Sequence, residues 1–395
     1  MDTHLSYKSI APHVGIMRML GFYQLSTKTP KIFRNIHYVY MRVILLLFVL
    51  YAIQQFLKLY EVRDDADKVM STMFLFLTYT DCIFKAVVVM MKTDEIEEVF
   101  DIMKGPLYNQ GDPEHRPILL EAGRQGLIVL RTFNYMCIIT CILWVVHPTI
   151  KHIQGKIIEF PVWLPFEYNS NPRYYFAALY IVTQTTWEGY ANSTIDVLIV
   201  FLLVQCKAQI SIIRVELQRL VMKSQEEANA LSCHFTVIAE KRIKKILVHH
   251  RQIVKTADKI QDIFGYAVFY QLLVAGWILC TSAYRMASVT PLSVEFLSML
   301  MYISCILLQV FIYCYFGSEV TYESEMLTES VYFMNWLALP VKLRRTIIIF
   351  MERIKRPIRP MACYIVPFSN ATFVSIVRSS YTFYAFLKNS NDSST

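Results

Sequence analysis

Apolar residues gather in seven long runs separated by polar connections: 38–59, 69–91, 127–148, 174–206, 263–284, 295–317 and 361–388. Runs of roughly 20 residues match a hydrocarbon core about 30 Å thick. The pattern predicts an all-α membrane protein with seven transmembrane helices. The connections have their own periods. Within 92–126, KTDEIEEVFDIMK reads as an amphipathic surface helix. In 149–173, Pro161, Pro165 and Pro172 exclude a continuous helix. In 207–262 a helical spacing persists through Ile210, Ile213, Leu217 and Leu220, then Ile243, Ile246, Val254 and Ile260, so helices continue beyond the bilayer. Residues 318–360 hold two helical pieces broken at Pro340, Pro357 and Pro360. The expected organisation is a polar lead (1–37), a bundle of spans one to four (38–206), a helical extension (207–262), spans five and six (263–317), an anchor (318–360), a last span (361–388) and a tail (389–395).

The last span departs from the others. Ser369, Asn370, Thr372, Ser375, Arg378, Ser379 and Ser380 run through it. Polar groups at bilayer depth are costly unless they face protein or water. This span is therefore expected to wall a conduction path. Thr372, Ile376 and Ser380 share one helical face and suit a pore with a hydrophobic constriction. Tight packing by small residues is the alternative. Pro367 would kink or split the helix near its inner end.

Composition agrees with a membrane protein. The chain has 395 residues, 55% hydrophobic and 18% charged, with mean hydropathy +0.38. Soluble domains average about 45–50% apolar and about 25% charged. Charge then sets orientation. The connections on the side of residue 1 carry 27 Lys and Arg, against 7 on the other side. The positive-inside rule puts the N-terminus in the cytoplasm and the C-terminus outside. The net charge of +8 is thus mostly topological and calls for no nucleic-acid partner. The nine cysteines lie in or beside the apolar runs, except Cys233. No extracellular disulfide is expected, and Cys233 with His234, His249 and His250 fits no standard zinc spacing. No cleavable leader is apparent in the first 37 residues.

Candidate chemistry lies inside the spans. Asp81 and Lys85 are one turn apart and can pair. Gln184, Glu188, Asn192 and Asp196 form a polar stripe on the fourth run, beside Tyr180 and Trp187. Such a stripe faces the bundle interior, either for interhelical hydrogen bonds alone or for a partly polar ligand cavity. Soft and aromatic positions recur on other runs: Phe74, Leu77 and Thr78; Phe133, Cys137, Thr140 and Trp144; Met299, Tyr302 and Ile303. Converging, they would form an apolar pocket for a small volatile molecule; singly, they are ordinary packing. No phosphate loop, HExxH or GxSxG motif appears, so no enzyme, metal or cofactor is expected. Asn192, Asn370 and Asn391 match the glycosylation pattern, but the first two lie in runs and the third is near the terminus.

The final third carries a family pattern: Gln309, Phe311, Tyr313, Cys314 and Gly317 in a Q-x-F-x-Y-C-x-x-G segment, then Glu323-Ser324, Tyr332 with Trp336, and Ser380-Tyr381-Thr382-Phe383. With HHRQIVKTADKIQDIFGYAVFYQLLVAG at 249–276, it resembles the insect odorant receptor family. The first 240 residues match mainly in layout. The resemblance implies an odorant-gated, non-selective cation channel in the plasma membrane of sensory neurons. Its partners would be membrane lipid, permeating cations, a small volatile organic ligand and a co-receptor subunit of the same fold, in a heterotetramer. The seventh span would line the pore. The ligand would sit among spans two, three, four and six, which gives Phe74, Leu77, Thr78, Phe133, Cys137, Thr140, Trp144, Tyr180, Gln184, Trp187 and Tyr302 as expected ligand contacts. The chain resembles a tuning subunit, since 207–262 lacks the co-receptor's long insertion. A G-protein-coupled receptor would need the opposite orientation; Asn171-Pro172-Arg173-Tyr174-Tyr175 mimics that family's NPxxY but falls in a connection. A gustatory-type channel usually ends in TYhhhhhQF, which is absent.

Overall fold

The computed structural model describes residues 5–26, 29–109, 112–153, 160–166, 171–287 and 289–392. Long helices dominate. In chain order they are α1 (Leu5–Lys8), α2 (Ala11–Leu20), α3 (Lys31–Glu61), α4 (Ala66–Met91), α5 (Thr93–Lys104), α6 (His115–Ile153), α7 (Asn171–Gln218), α8 (Leu220–Leu231), α9 (Phe235–Ala287), α10 (Val294–Phe333), α11 (Val341–Ile354) and α12 (Asn370–Asp392). A hairpin of two short strands, β1 (Met361–Ala362) and β2 (Val366–Pro367), precedes α12.

Among the described residues, six helices are long and apolar enough to cross a membrane: α3, α4, α6, α7, α9 and α10. α12 has the length but is interrupted by Asn, Ser, Thr and Arg. The spans follow the apolar runs, yet their helices run far past them. α7 has 48 residues and α9 has 53. The extension expected over 207–262 is therefore the lower part of α7, the short α8, and the first half of α9.

α7 is the centre of the bundle. Every residue from Ala191 to Cys206 is buried. The run VLIVFLLV (197–204) is apolar all round, and only an interior position hides such a helix on every side. The outer helices show the reverse. α3 exposes Val39, Leu46 and Phe56, and α6 exposes Ile138, Ile139 and Ile142. These faces suit lipid.

Two segments differ from expectation. The lead 1–37 is more than a polar leader. Ile10, Val14, Met17, Leu20, Phe22 and Tyr23 are buried in the main core. Their i, i+4, i+7 spacing marks one apolar face, diluted in sequence by the charged residues around it. Gly21, at φ 83°, ends α2 in the left-handed conformation that glycine adopts freely, and the Gly21 and Phe22 amides close onto Arg18 and Met17 carbonyls. The Trp187 indole N–H, on α7, donates to the Leu20 carbonyl at 3.3 Å.

The stretch 361–388 is also not one helix. Its first residues form the hairpin, and Pro367 ends β2 instead of kinking a helix. Cys363 and Tyr364 both take positive φ (50° and 58°), and the Ile365 amide donates to the Ala362 carbonyl at 3.0 Å. Three residues separate the paired Ala362 and Val366, and the turn is made without glycine. α12 begins only after it. Ser369 caps the helix, accepting the Thr372 amide at 3.2 Å, while the Thr372 hydroxyl donates to the Pro367 carbonyl at 2.7 Å.

The amphipathic helix expected in 92–126 is α5, which buries Ile96, Val99, Phe100 and Met103. The middle of the 149–173 connection, the end of the tail and the Asn391 side chain lie outside what the structure describes.

Candidate functional site

Between α4, α6, α7 and α10 lies a cavity of about 90 Å³. Its wall explains why it exists. Thr185, Gly189 and Ser193 stand four residues apart on α7, a row of small side chains where the helix leaves room. A Cβ on Gly189 would meet the Cys137 sulfur at 2.9 Å, so even alanine there would crowd α6. Opposite, α6 presents Phe133, Cys137, Thr140, Cys141 and Trp144, and α10 presents Tyr302, Cys305 and Ile306. The wall is mostly aromatic, thiol and methyl.

Of the residues expected to contact ligand, Thr78, Phe133, Cys137, Thr140, Trp144 and Tyr302 line this cavity. Phe74 stands behind it, with its ring 5.9 Å from Trp144 and 5.2 Å from Tyr302. Thr78 and Tyr302 share a hydrogen bond of 2.5 Å. Leu77 packs half-buried against the core, outside the wall. Tyr180 belongs to a separate cluster with Tyr51 and donates to Gln54 at 2.8 Å. Trp187 is held by the lead, and Gln184 is half-buried away from the cavity. The stripe from Gln184 to Asp196 thus divides: its first residue lies apart, while Glu188 and Asn192 enter the wall.

Below the cavity the stripe becomes a closed polar network. The Lys85 ammonium is fully buried and bonds Asp81 (2.8 Å), Asn192 (2.8 Å) and Asp196 (2.7 Å). Asp196 also accepts from the Tyr313 hydroxyl at 2.6 Å and from the Gln309 amide. One lysine therefore holds two carboxylates, and α4, α7 and α10 are tied at one level. Buried charges persist only when paired and hydrogen-bonded in this way. Asn192 and Gln309 belong to both network and cavity wall. Sequence showed the Asp81–Lys85 pair, but Asp196 as its second carboxylate required the fold.

Gly317, Glu323, Ser324 and Ser380 of the motif prove to be joints, whereas Tyr332, Tyr381 and Phe383 are exposed. Gly317 on α10 lies against Phe368, where any Cβ would collide with side chain and backbone. Glu323 pairs with Arg214 at 2.6 Å. The Ser324 hydroxyl accepts the Ile358 amide at 2.9 Å. Ser380 is buried, and its hydroxyl donates to the Gly276 carbonyl of α9 at 3.2 Å. Of the expected pore face, Thr372 and Ile376 are half-buried, and Ser380 faces α9. The open side of α12 carries Val374, Ser375, Arg378 and Tyr381.

Comparison with known proteins follows this geometry. A family model described as "7tm Odorant receptor" matches residues 65–381. Odorant receptor 94a of Drosophila melanogaster is 27% identical over 240 residues, 60% of this chain and 59% of that protein. This chain therefore spans less than two thirds of that relative's length. Odorant receptor Or1 of Anopheles gambiae is 23% identical over 362 residues, covering 86% and 85% of the two chains. The solved olfactory receptor OR5 of Machilis hrabei superposes with a TM-score of 0.81 at 16% identity, covering 96% of this chain and 97% of that one. Its complex with eugenol gives 0.82 at 15% identity, covering 97% and 98%. The backbone arrangement is thus shared well beyond the reach of sequence identity. With the family model spanning most of its length and several motif residues forming its joints, the chain belongs to the odorant receptor family.

Proposed function

We propose that this chain is the odorant-binding subunit of a heteromeric, odorant-gated, non-selective cation channel in the plasma membrane of sensory neurons. The observation that carries this reading is the apolar cavity between α4, α6, α7 and α10, set directly on the Lys85–Asp196 network. The solved relative with eugenol offers a precedent for a small volatile ligand on this fold.

A route from cavity to pore is available along α10. Tyr302, Cys305, Ile306 and Gln309 touch the cavity. Two residues beyond Gln309, Phe311 meets Phe373 of α12 at 5.5 Å, and about two turns beyond Gln309, Gly317 seats Phe368 at the foot of α12. A ligand that fits one packing of α10 better than another shifts the population toward it, by no more than its difference in affinity. α12 then moves with α10. Its half-buried Thr372 and Ile376 line the conduction path, and Ser380 fastens the helix to α9. The N-terminus is cytoplasmic and the C-terminus extracellular, as the 27-to-7 bias of Lys and Arg supports. The short α8 between α7 and α9 leaves no place for a long insertion, which favours a tuning subunit assembled with a co-receptor of the same fold in a heterotetramer.

The test expresses the chain with and without the co-receptor and records current against a panel of volatiles. Current that needs the co-receptor, persists when G proteins are blocked and reverses near 0 mV is expected. A requirement for a G protein, or an N-terminal tag accessible from outside, would overturn the reading.

A further inference from the structure

Most polar atoms around the cavity are already partnered. Thr78 is bonded to Tyr302, Thr140 to the Met136 carbonyl, Asn192 to Lys85, and Gln309 to Asp196. Glu188 is different. It lines the cavity, is 5% exposed, and its Oε1 has no hydrogen-bond partner. An unsatisfied buried carboxyl oxygen is costly, and a ligand donor that reaches it recovers that cost. Two further orphaned groups line the same space, the Tyr79 hydroxyl and the Trp144 indole N–H. Both can donate to a lone pair on the same ligand head.

Resting on the odorant-binding reading, we propose that Glu188 is a specificity residue of this cavity and selects compact volatiles bearing one hydrogen-bond donor, a hydroxyl or an amine, on an apolar body. Size follows from volume. A cavity of roughly 150 Å³ takes up benzene, and this one, at about 90 Å³, suits a smaller body unless side chains move. Donor chemistry follows from Glu188, which accepts what a ketone or hydrocarbon does not offer. The aromatic and thiol wall encloses the rest of the ligand.

The probes are propan-2-ol, propan-2-amine, propanone and 2-methylpropane, which share a three-carbon skeleton smaller than benzene and differ in the head group. Currents are recorded from the full complex carrying the wild-type chain, Glu188→Leu or Glu188→Gln, with surface level measured in parallel. The wild type is expected to respond to the alcohol and amine at concentrations at least about tenfold lower than to the ketone and hydrocarbon. Glu188→Leu should erase that preference while leaving the hydrocarbon response in place. Glu188→Gln keeps an acceptor but brings two N–H donors. It should hold the alcohol response and raise the ketone response toward it, narrowing the preference, and it carries the test should the leucine variant fail to reach the surface. A wild type that prefers the ketone or hydrocarbon overturns the inference, as does a preference unmoved by both substitutions. Silence toward the alcohol and amine in a complex that answers other volatiles overturns the inference alone. Silence toward every volatile overturns the odorant-binding reading beneath it as well.

Discussion

Asp196 accepts from Lys85, Gln309 and Tyr313, and each donor sits on a helix that also borders the cavity or its floor. Removing the lysine leaves two carboxylates buried without a countercharge. Lys85→Met should therefore destabilise the fold by about 3–5 kcal/mol. Loss of the monodisperse peak in fluorescence-detected size exclusion, at a temperature where wild type survives, would check this. Gly317 gives a second prediction, of steric origin. Gly317→Ala should lower the melting temperature by several degrees because Phe368 backbone must retreat, whereas alanine at Gly15, with open space around it, should cost little. The sequence carried half of this. Asp81 and Lys85 announced themselves by spacing, and Gln309, Tyr313 and Gly317 by their motif. That Gln309 and Tyr313 meet Asp196, 113 and 117 residues away, is a property of helix packing that no local period encodes. Gln184 begins the polar stripe, with Tyr180 and Trp187 beside it, and the three are expected at the cavity. At 3.6 residues per turn, the start of that stripe has already turned toward the lead and toward Tyr51.

The helices α7, α9 and α10 act as rods that run from the cavity level into an ion-paired base. There Lys207 meets Glu319 at 2.6 Å, Arg214 meets Glu323, Lys223 meets Asp112 and Glu114, and Arg242 meets Glu227. Two histidines in this base are buried in the first half of α9. His249 faces Gln209 at 3.0 Å and the Tyr108 ring, and burial lowers it to about 3. His250 packs edge-on to Phe350, and burial, helped by Arg353, lowers it to about 4. Both stay neutral in the fold where the unfolded chain would charge them. Their contribution to stability is complete above pH 6.5 and falls as pH drops from there toward 4, by up to about 1.4 kcal/mol per unit for each. Thermal midpoints of the detergent-solubilised protein between pH 7 and pH 4.5 should fall accordingly, and His249→Gln with His250→Phe should flatten the slope. The long helices were legible because their apolar period persists outside the bilayer. The hairpin before α12 was not, because Cys363 and Tyr364 take positive φ without glycine or asparagine, the residues that signal such a turn.

In the whole molecule, cavity, network and α12 form one connected path, with α10 as its common member. The lead adds to it: α2 lies on α7, and Trp187 ties the two together just before the row Thr185, Gly189 and Ser193 gives way to solid core. The long apolar runs and a motif-bearing C-terminal third outlined the helical architecture. The cavity was less legible, because it depends on small residues of α7 that leave space, and absence of volume has no hydropathy signal. The central claim is that a ligand inside this cavity opens the path. Thr140→Phe places a ring into about 90 Å³ of space. Concentration–response curves of ligand-evoked current, from complexes with matched surface level, decide it. The account predicts that Thr140→Phe raises the half-maximal concentration at least about tenfold or abolishes the response. A curve that superposes on wild type would contradict it.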